Sequence, residues 1–140
     1  MSESKRYFYE LGKIFYKIDG FYADYARKSG VKENLLWVLY ALNDGNEHSQ
    51  KEISDSWDIP RTTVNTIVKQ LITDGMVVLK QIPGEKRELD VILTEDGKLY
   101  ANKLLAKVYE MEKAAYEKIA DLDINGKLQA LLRALNDQTK

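Results

Sequence analysis

The chain has 140 residues, 44% hydrophobic and 31% charged, enough for one ordinary domain with a real core. No run approaches the roughly 20 apolar residues of a membrane span, and the first residues, MSESKRYFYELGKIF, lack the apolar core and small-residue cleavage site of a secretory signal, so a cytoplasmic protein with no membrane partner is expected. The absence of cysteine excludes disulfides and thiolate zinc sites, and a net charge of −1 excludes a strongly basic surface as the whole basis of any binding.

Residues 5–28 carry Phe8, Leu11, Phe15, Ile18, Tyr22 and Tyr25 at alternating steps of three and four, which predicts a helix with a continuous apolar seam. Tyr7, Tyr9, Tyr16 and Phe21 flank that seam, so the apolar arc is wider than one partner helix requires. Burial against a second chain as well as its own is the expectation. Residues 34–43, NLLWVLYALN, are apolar almost all round and predict an inner helix. Asp44-Gly45-Asn46 is a turn signal. His48 falls in that connection as a surface loop residue. Ser49 and Glu52 have the spacing of a capping box, opening a third helix over about residues 50–56.

Trp57-Asp58-Ile59 leads into PRTTVNTIVKQLITDG. Here Val64, Ile67, Val68, Leu71 and Ile72 form a stripe to be buried, while Arg61, Thr62, Asn65, Thr66 and Lys69 form the opposite face. Pro60 suits the first turn and Gly75 the stop. No acid occurs from Arg61 to Thr73, although Glu is a favoured filler of exposed helix positions. A solvated face accounts for polarity but not for that omission. Short donor-rich side chains on an exposed stripe are the equipment that reads base edges in a major groove. Helix, short turn and helix over residues 49–74 thus give a helix-turn-helix unit, the second helix entering the groove.

Two apolar runs follow, residues 76–82 and 89–93, joined through Pro83-Gly84, which fits a type II turn and predicts a hairpin. Lys86 and Arg87 lie at its tip. Residues 60–87 hold five basic groups against two acidic, so the positive charge is local and mild. Thr94 is placed to cap a long helix that starts with Glu95 and Asp96 and continues to about residue 120. Roughly 25 residues at 1.5 Å each reach about 38 Å, more than a compact lobe needs. Residues 123–136 form a last amphipathic helix through Ile124, Leu128, Leu131, Leu132 and Leu135. The fold class is therefore mainly α with a small β-hairpin, a winged helix-turn-helix.

The order of these parts, with PRTTVNTIVKQLITDGMV, the hairpin Glu85-Lys86-Arg87 and the run Leu93-Thr94-Glu95-Asp96-Gly97, resembles the MarR family of bacterial transcription regulators over nearly the whole chain. The family pattern at the wing is Asp, any residue, Arg; this chain has Glu85 at the first place and keeps Arg87. The resemblance implies a single domain over 1–140 with a winged-helix DNA-binding lobe at 32–93. Residues 1–30 and 94–140 would be the lobe that forms a homodimer, and the long fifth helix would join the lobes as a lever. It implies a repressor on a pseudo-palindromic double-stranded operator, relieved by a small aromatic effector. DNA contacts are then expected from Arg61, Thr62, Thr63, Asn65, Thr66 and Lys69, with Lys86 and Arg87 in the flanking minor groove. Tyr16, Trp37, Tyr40 and Tyr109 are conceivable liners of an effector pocket between the lobes. No cofactor or metal is expected. One histidine, no cysteine and no phosphate-binding glycine loop also lack the parts of a catalytic site, so no enzyme is expected. The rival reading is a winged helix used as a protein-interaction module without DNA binding.

Overall fold

The computed structural model describes residues 1–84 and 88–139. The chain divides into two compact units, Met1–Leu105 and Ala106–Lys140. In the first, helices α1 (Glu3–Lys28) and α2 (Glu33–Leu42) precede a short strand β1 (His48–Ser49), helices α3 (Gln50–Trp57) and α4 (Arg61–Thr73), strands β2 (Val77–Gln81) and β3 (Leu89–Leu93), and the start of α5 (Glu95–Ile119). The second holds the remainder of α5, a 3₁₀ turn (Ala120–Leu122) and α6 (Ile124–Asp137). The arrangement is the mainly helical winged helix-turn-helix expected from the periodicities.

The core of the first unit is built on α2. Leu36, Val38 and Leu39 are fully buried, so this helix is inner as its composition demands. Around it pack Ile53 of α3, Val64, Val68 and Leu71 of α4, Val77 and Val91 of the sheet, and Ala101 and Leu105 of α5. Burying a side chain of this size stabilises by about 1.5–3 kcal/mol before chain entropy is subtracted. Ile72 departs from the expected stripe: it is 40% exposed. It lies about 100° round the helix from Leu71, beyond the arc that α2 and the sheet cover.

The sheet has three antiparallel strands in the order β1-β3-β2, one more than the hairpin read from sequence. Leu89–Leu93 pairs with Val77–Gln81 on one side and with His48–Ser49 on the other. His48 is therefore a strand residue, which corrects its reading as a loop residue. Two residues are too short for any period to show. Gly84 has φ +82°, as the third position of a type II turn requires.

Gly97 shows why the run after β3 ends as it does. A Cβ at Gly97 would stand 1.8 Å from the Met76 carbonyl oxygen, so the first turn of α5 lies directly on the backbone entering β2. Thr94 fastens the same junction. Its hydroxyl donates to the Gly75 carbonyl at 2.7 Å and accepts from the Gly97 amide at 3.0 Å, the N-cap bond expected of it.

Many apolar side chains of α1 and α6 are exposed in the single chain. On α1, Phe8, Ile14, Phe15, Ile18 and Phe21 are all exposed, while Ala26 near its end is buried and the Tyr25 hydroxyl donates to the Leu104 carbonyl at 2.6 Å. On α6, Ile124, Leu128, Leu132 and Leu135 are exposed. Among the described residues no helix is long and apolar enough to cross a membrane.

Candidate nucleic-acid interface

The interface is built on the junction between α3 and α4. Ser49 caps α3, accepting from the Glu52 amide at 3.1 Å. The helix ends at Asp58, which adopts the left-handed conformation with φ +50°, a region that Asp tolerates better than most residues. Buried Ser54 donates its hydroxyl to the Ile59 carbonyl at 2.6 Å, latching the turn to α3, and Ile59 is itself buried. Pro60 then stands at the N-cap of α4 with φ −54°, one residue before the first helical position.

With Val64, Val68 and Leu71 facing inward, Arg61, Thr62, Asn65, Thr66 and Lys69 are exposed and Thr63 is half-buried. The sequence-derived face is thus one contiguous outward surface. Its members are not equivalent. The Thr66 hydroxyl donates to the Thr62 carbonyl at 2.9 Å, so what it presents outward is a methyl group and an acceptor lone pair. Asn65 and Lys69 have side chains bonded to no other described residue, so their donors are available. Arg61 lies 3.8 Å from the Glu88 carboxylate at the foot of β3. Arg61 is exposed and Glu88 half-buried, and at this length the pair contributes at most about 1 kcal/mol, so a phosphate can displace it.

Two recesses flank α4. One, of about 400 Å³, lies among Gln50, Lys51, Arg61, Thr62, Asn65, the strand residues Leu79 and Leu89, and Glu88 just before β3. The other, about 1070 Å³, runs between Thr62, Thr63, Thr66 and Gln70 on one side and Lys32, Glu33 and Asn34 at the start of α2 on the other. Gln50, Lys51, Lys32 and Asn34 were not singled out from sequence. All lie in or next to the first turn of a helix following a cap position, which is the signal that marks them. Lys86 and Arg87 lie outside the described residues.

Beside this surface the charges are mutually compensated. Lys80 on β2 holds the Glu47 carboxylate at 3.0 Å, and that hydrogen bond keeps Glu47 below its ordinary value against the opposing effect of burial. Asp90 opposite is raised, by burial first and then by Glu47. Among the described residues no cluster of three or more His, Asp or Glu side chains is placed to hold a metal.

Of the four aromatic side chains expected around an effector, Trp37 and Tyr40 stand together, 5.4 Å apart, with Trp57 stacked on Trp37 at 5.4 Å and Tyr22 tilted against Trp37 at 4.8 Å. The Trp37 indole donates to Glu33 at 3.1 Å. Tyr16 is 80% exposed on α1. Tyr109 is half-buried in the unit of residues 106–140.

Residues 29–88, which contain α2, the helix-turn-helix and the first arm of the wing, match the model of the MarR family. Over those residues the chain is similar to the MarR family. A MarR family regulator from Neisseria meningitidis has 27% identity, with 93% of this chain and 91% of that chain covered and a TM-score of 0.76. AbfR of Staphylococcus epidermidis shares the fold at 19% identity, with 96% and 97% covered and a TM-score of 0.75. So does a putative MarR family transcriptional regulator from Listeria monocytogenes, solved in complex with a 26mer DNA, at 19% identity, 98% and 89% covered and a TM-score of 0.67. No curated protein matches the chain. The matched residues take in α3, α4 and β2.

Proposed function

We propose that this chain is a regulator of the MarR family, a cytoplasmic homodimer that binds a pseudo-palindromic double-stranded operator and represses transcription until a small aromatic ligand releases it. The observation that carries this reading is the acid-free outward face of α4, Arg61, Thr62, Asn65, Thr66 and Lys69, borne on a buried Val64-Val68-Leu71 spine. In a major groove Asn65 would pair with an adenine edge, and Thr62, Thr63 and Thr66 would supply acceptors and methyl contacts. Arg61 and Lys69 would take phosphate or base, and Lys86 and Arg87 the neighbouring minor groove. The structure from Listeria, which shares the fold and was solved in complex with a 26mer DNA, supports DNA binding.

Residues 32–93 would be the DNA-binding lobe, and residues 1–30 with 94–140 the pairing lobe of a single domain. The exposed apolar residues of α1 and α6 support pairing with a second copy. The ligand would be received against rings that include Trp37 and Tyr40, and its release of DNA would act by changing the separation of the two α4 helices.

Selection of duplexes from a random pool tests the reading directly. It predicts an enriched inverted repeat whose half-sites lie about one helical turn apart, bound with an affinity that falls steeply with salt. The mild local charge predicts weak binding to unrelated duplex; equal affinity for operator and random DNA at physiological salt would refute the base-reading role of α4. The overall charge of −1 favours one competing reading, a protein-interaction module. Under that reading no duplex is retained at any salt concentration.

A further inference from the structure

His48 is the chain's one histidine, and both of its ring nitrogens face carboxylates. Nε2 lies 2.9 Å from each oxygen of Asp44, and Nδ1 lies 3.3 Å from Oε2 of Glu52. An ionised carboxylate only accepts, and a neutral imidazole has a single N–H. Both contacts are therefore hydrogen bonds only when the ring is imidazolium; with one proton removed, a nitrogen lone pair faces a carboxylate.

The position gives that proton leverage. Asp44 belongs to the turn after α2, His48 to β1, where it pairs with Val91 of β3, and Glu52 to the first turn of α3. The ring is half-buried beside a cavity of about 140 Å³ that Tyr40, Ser56 and Trp57 also line. Other charges close to this corner are Glu47, bonded to Lys80, and Asp90, which senses both Glu47 and Glu52. The facing groups are thus mainly acidic.

We propose that His48 is a pH-responsive clamp: as imidazolium it ties the start of α3 to the α2 turn and the sheet edge, and loss of its proton loosens α3 and weakens DNA binding. The DNA-binding half of this proposal rests on the function proposed above. Burial alone pushes the His48 value down, but the hydrogen bonds that the ring donates to Asp44 and Glu52, with the charges of those acids, outweigh it and the net direction is up. A raised value means that the clamp's stabilisation is complete below the ordinary histidine range, about 6.5, and is lost as pH rises through the raised value.

NMR titration of the full chain from pH 5 to 9 reads the single imidazole without ambiguity. In parallel, urea midpoints and operator affinity are measured at constant salt for the unaltered chain and for His48→Gln. The clamp predicts an imidazole titrating above 6.5, lowered toward it by Asp44→Asn. It also predicts a urea midpoint that falls between pH 6 and 9 only in the unaltered chain, and operator affinity that drops at least threefold over that range but less than 1.5-fold in His48→Gln. Titration at or below 6.5, or equal loss of stability in both chains, overturns the clamp. Equal pH profiles of affinity in the two chains overturn its control of DNA binding. If no duplex binds at any pH while titration and urea curves behave as expected, the clamp stands and the DNA-binding reading fails.

Discussion

Helices α1 and α4 are both amphipathic, yet their apolar faces meet different fates. In α4 Val64 and Val68 are fully buried and Leu71 nearly so, all within the chain's own core. In α1 Phe8, Phe15 and Ile18 remain 47%, 41% and 55% exposed. Periodicity reports that a face wants covering, but not which surface covers it. For α4 the cover is α2 and the sheet, which leaves its polar side free to meet a ligand. For α1 the cover is proposed to be a second copy of the chain, since scattered apolar residues are normal on a surface but a continuous seam of this width is not.

The sharpest way to break that contrast is the double change Phe8→Ser with Phe15→Ser. If a second copy buries both rings, losing them costs association about 3–6 kcal/mol. Sedimentation at micromolar concentration should then show monomers with an unchanged far-ultraviolet spectrum; an intact dimer would mean that this face pairs with nothing. Leu71→Ala probes the opposite helix. It removes a side chain buried by its own chain, so unfolding free energy should fall by about 2–5 kcal/mol, read as a lower urea midpoint at any protein concentration.

Gly97→Ala tests the seam between α5 and β2. A methyl group driven into the Met76 carbonyl forces the two apart, and a loss of about 1–3 kcal/mol is expected in thermal or urea unfolding. Asn65→Ala should leave the melting temperature within a degree or two while weakening operator binding by about 1–3 kcal/mol, roughly five- to 150-fold. Unchanged affinity in a titration would remove Asn65 from the reading surface. Glu88→Gln is expected to have the smallest effect. The pair with Arg61 is long, at 3.8 Å, and its Arg61 side is exposed, so stability should move by less than about 1 kcal/mol, and freeing Arg61 should slightly strengthen DNA binding at low salt.

How far the site could be read from residues alone follows from the range of the forces involved. The outward placement of Arg61, Thr62, Asn65, Thr66 and Lys69 was legible because helical period and apolar spacing are local. The latch from Ser54 to the Ile59 carbonyl and the attachment of Arg61 to Glu88 were not. The first depends on a left-handed residue at Asp58 that bends the chain back, and the second joins groups 27 positions apart in sequence.

By itself the sequence determined six helices, the presence of a hairpin and the composition of the α4 face, because each is dictated by side chains within a turn or two of one another. Only the tertiary structure decided that His48 is a strand residue held between two acids, that Ile72 lies outside the buried stripe, and that Gly97 is required by the Met76 carbonyl. Each of these is set by a surface brought from elsewhere in the chain, and no local period encodes the shape of a distant neighbour.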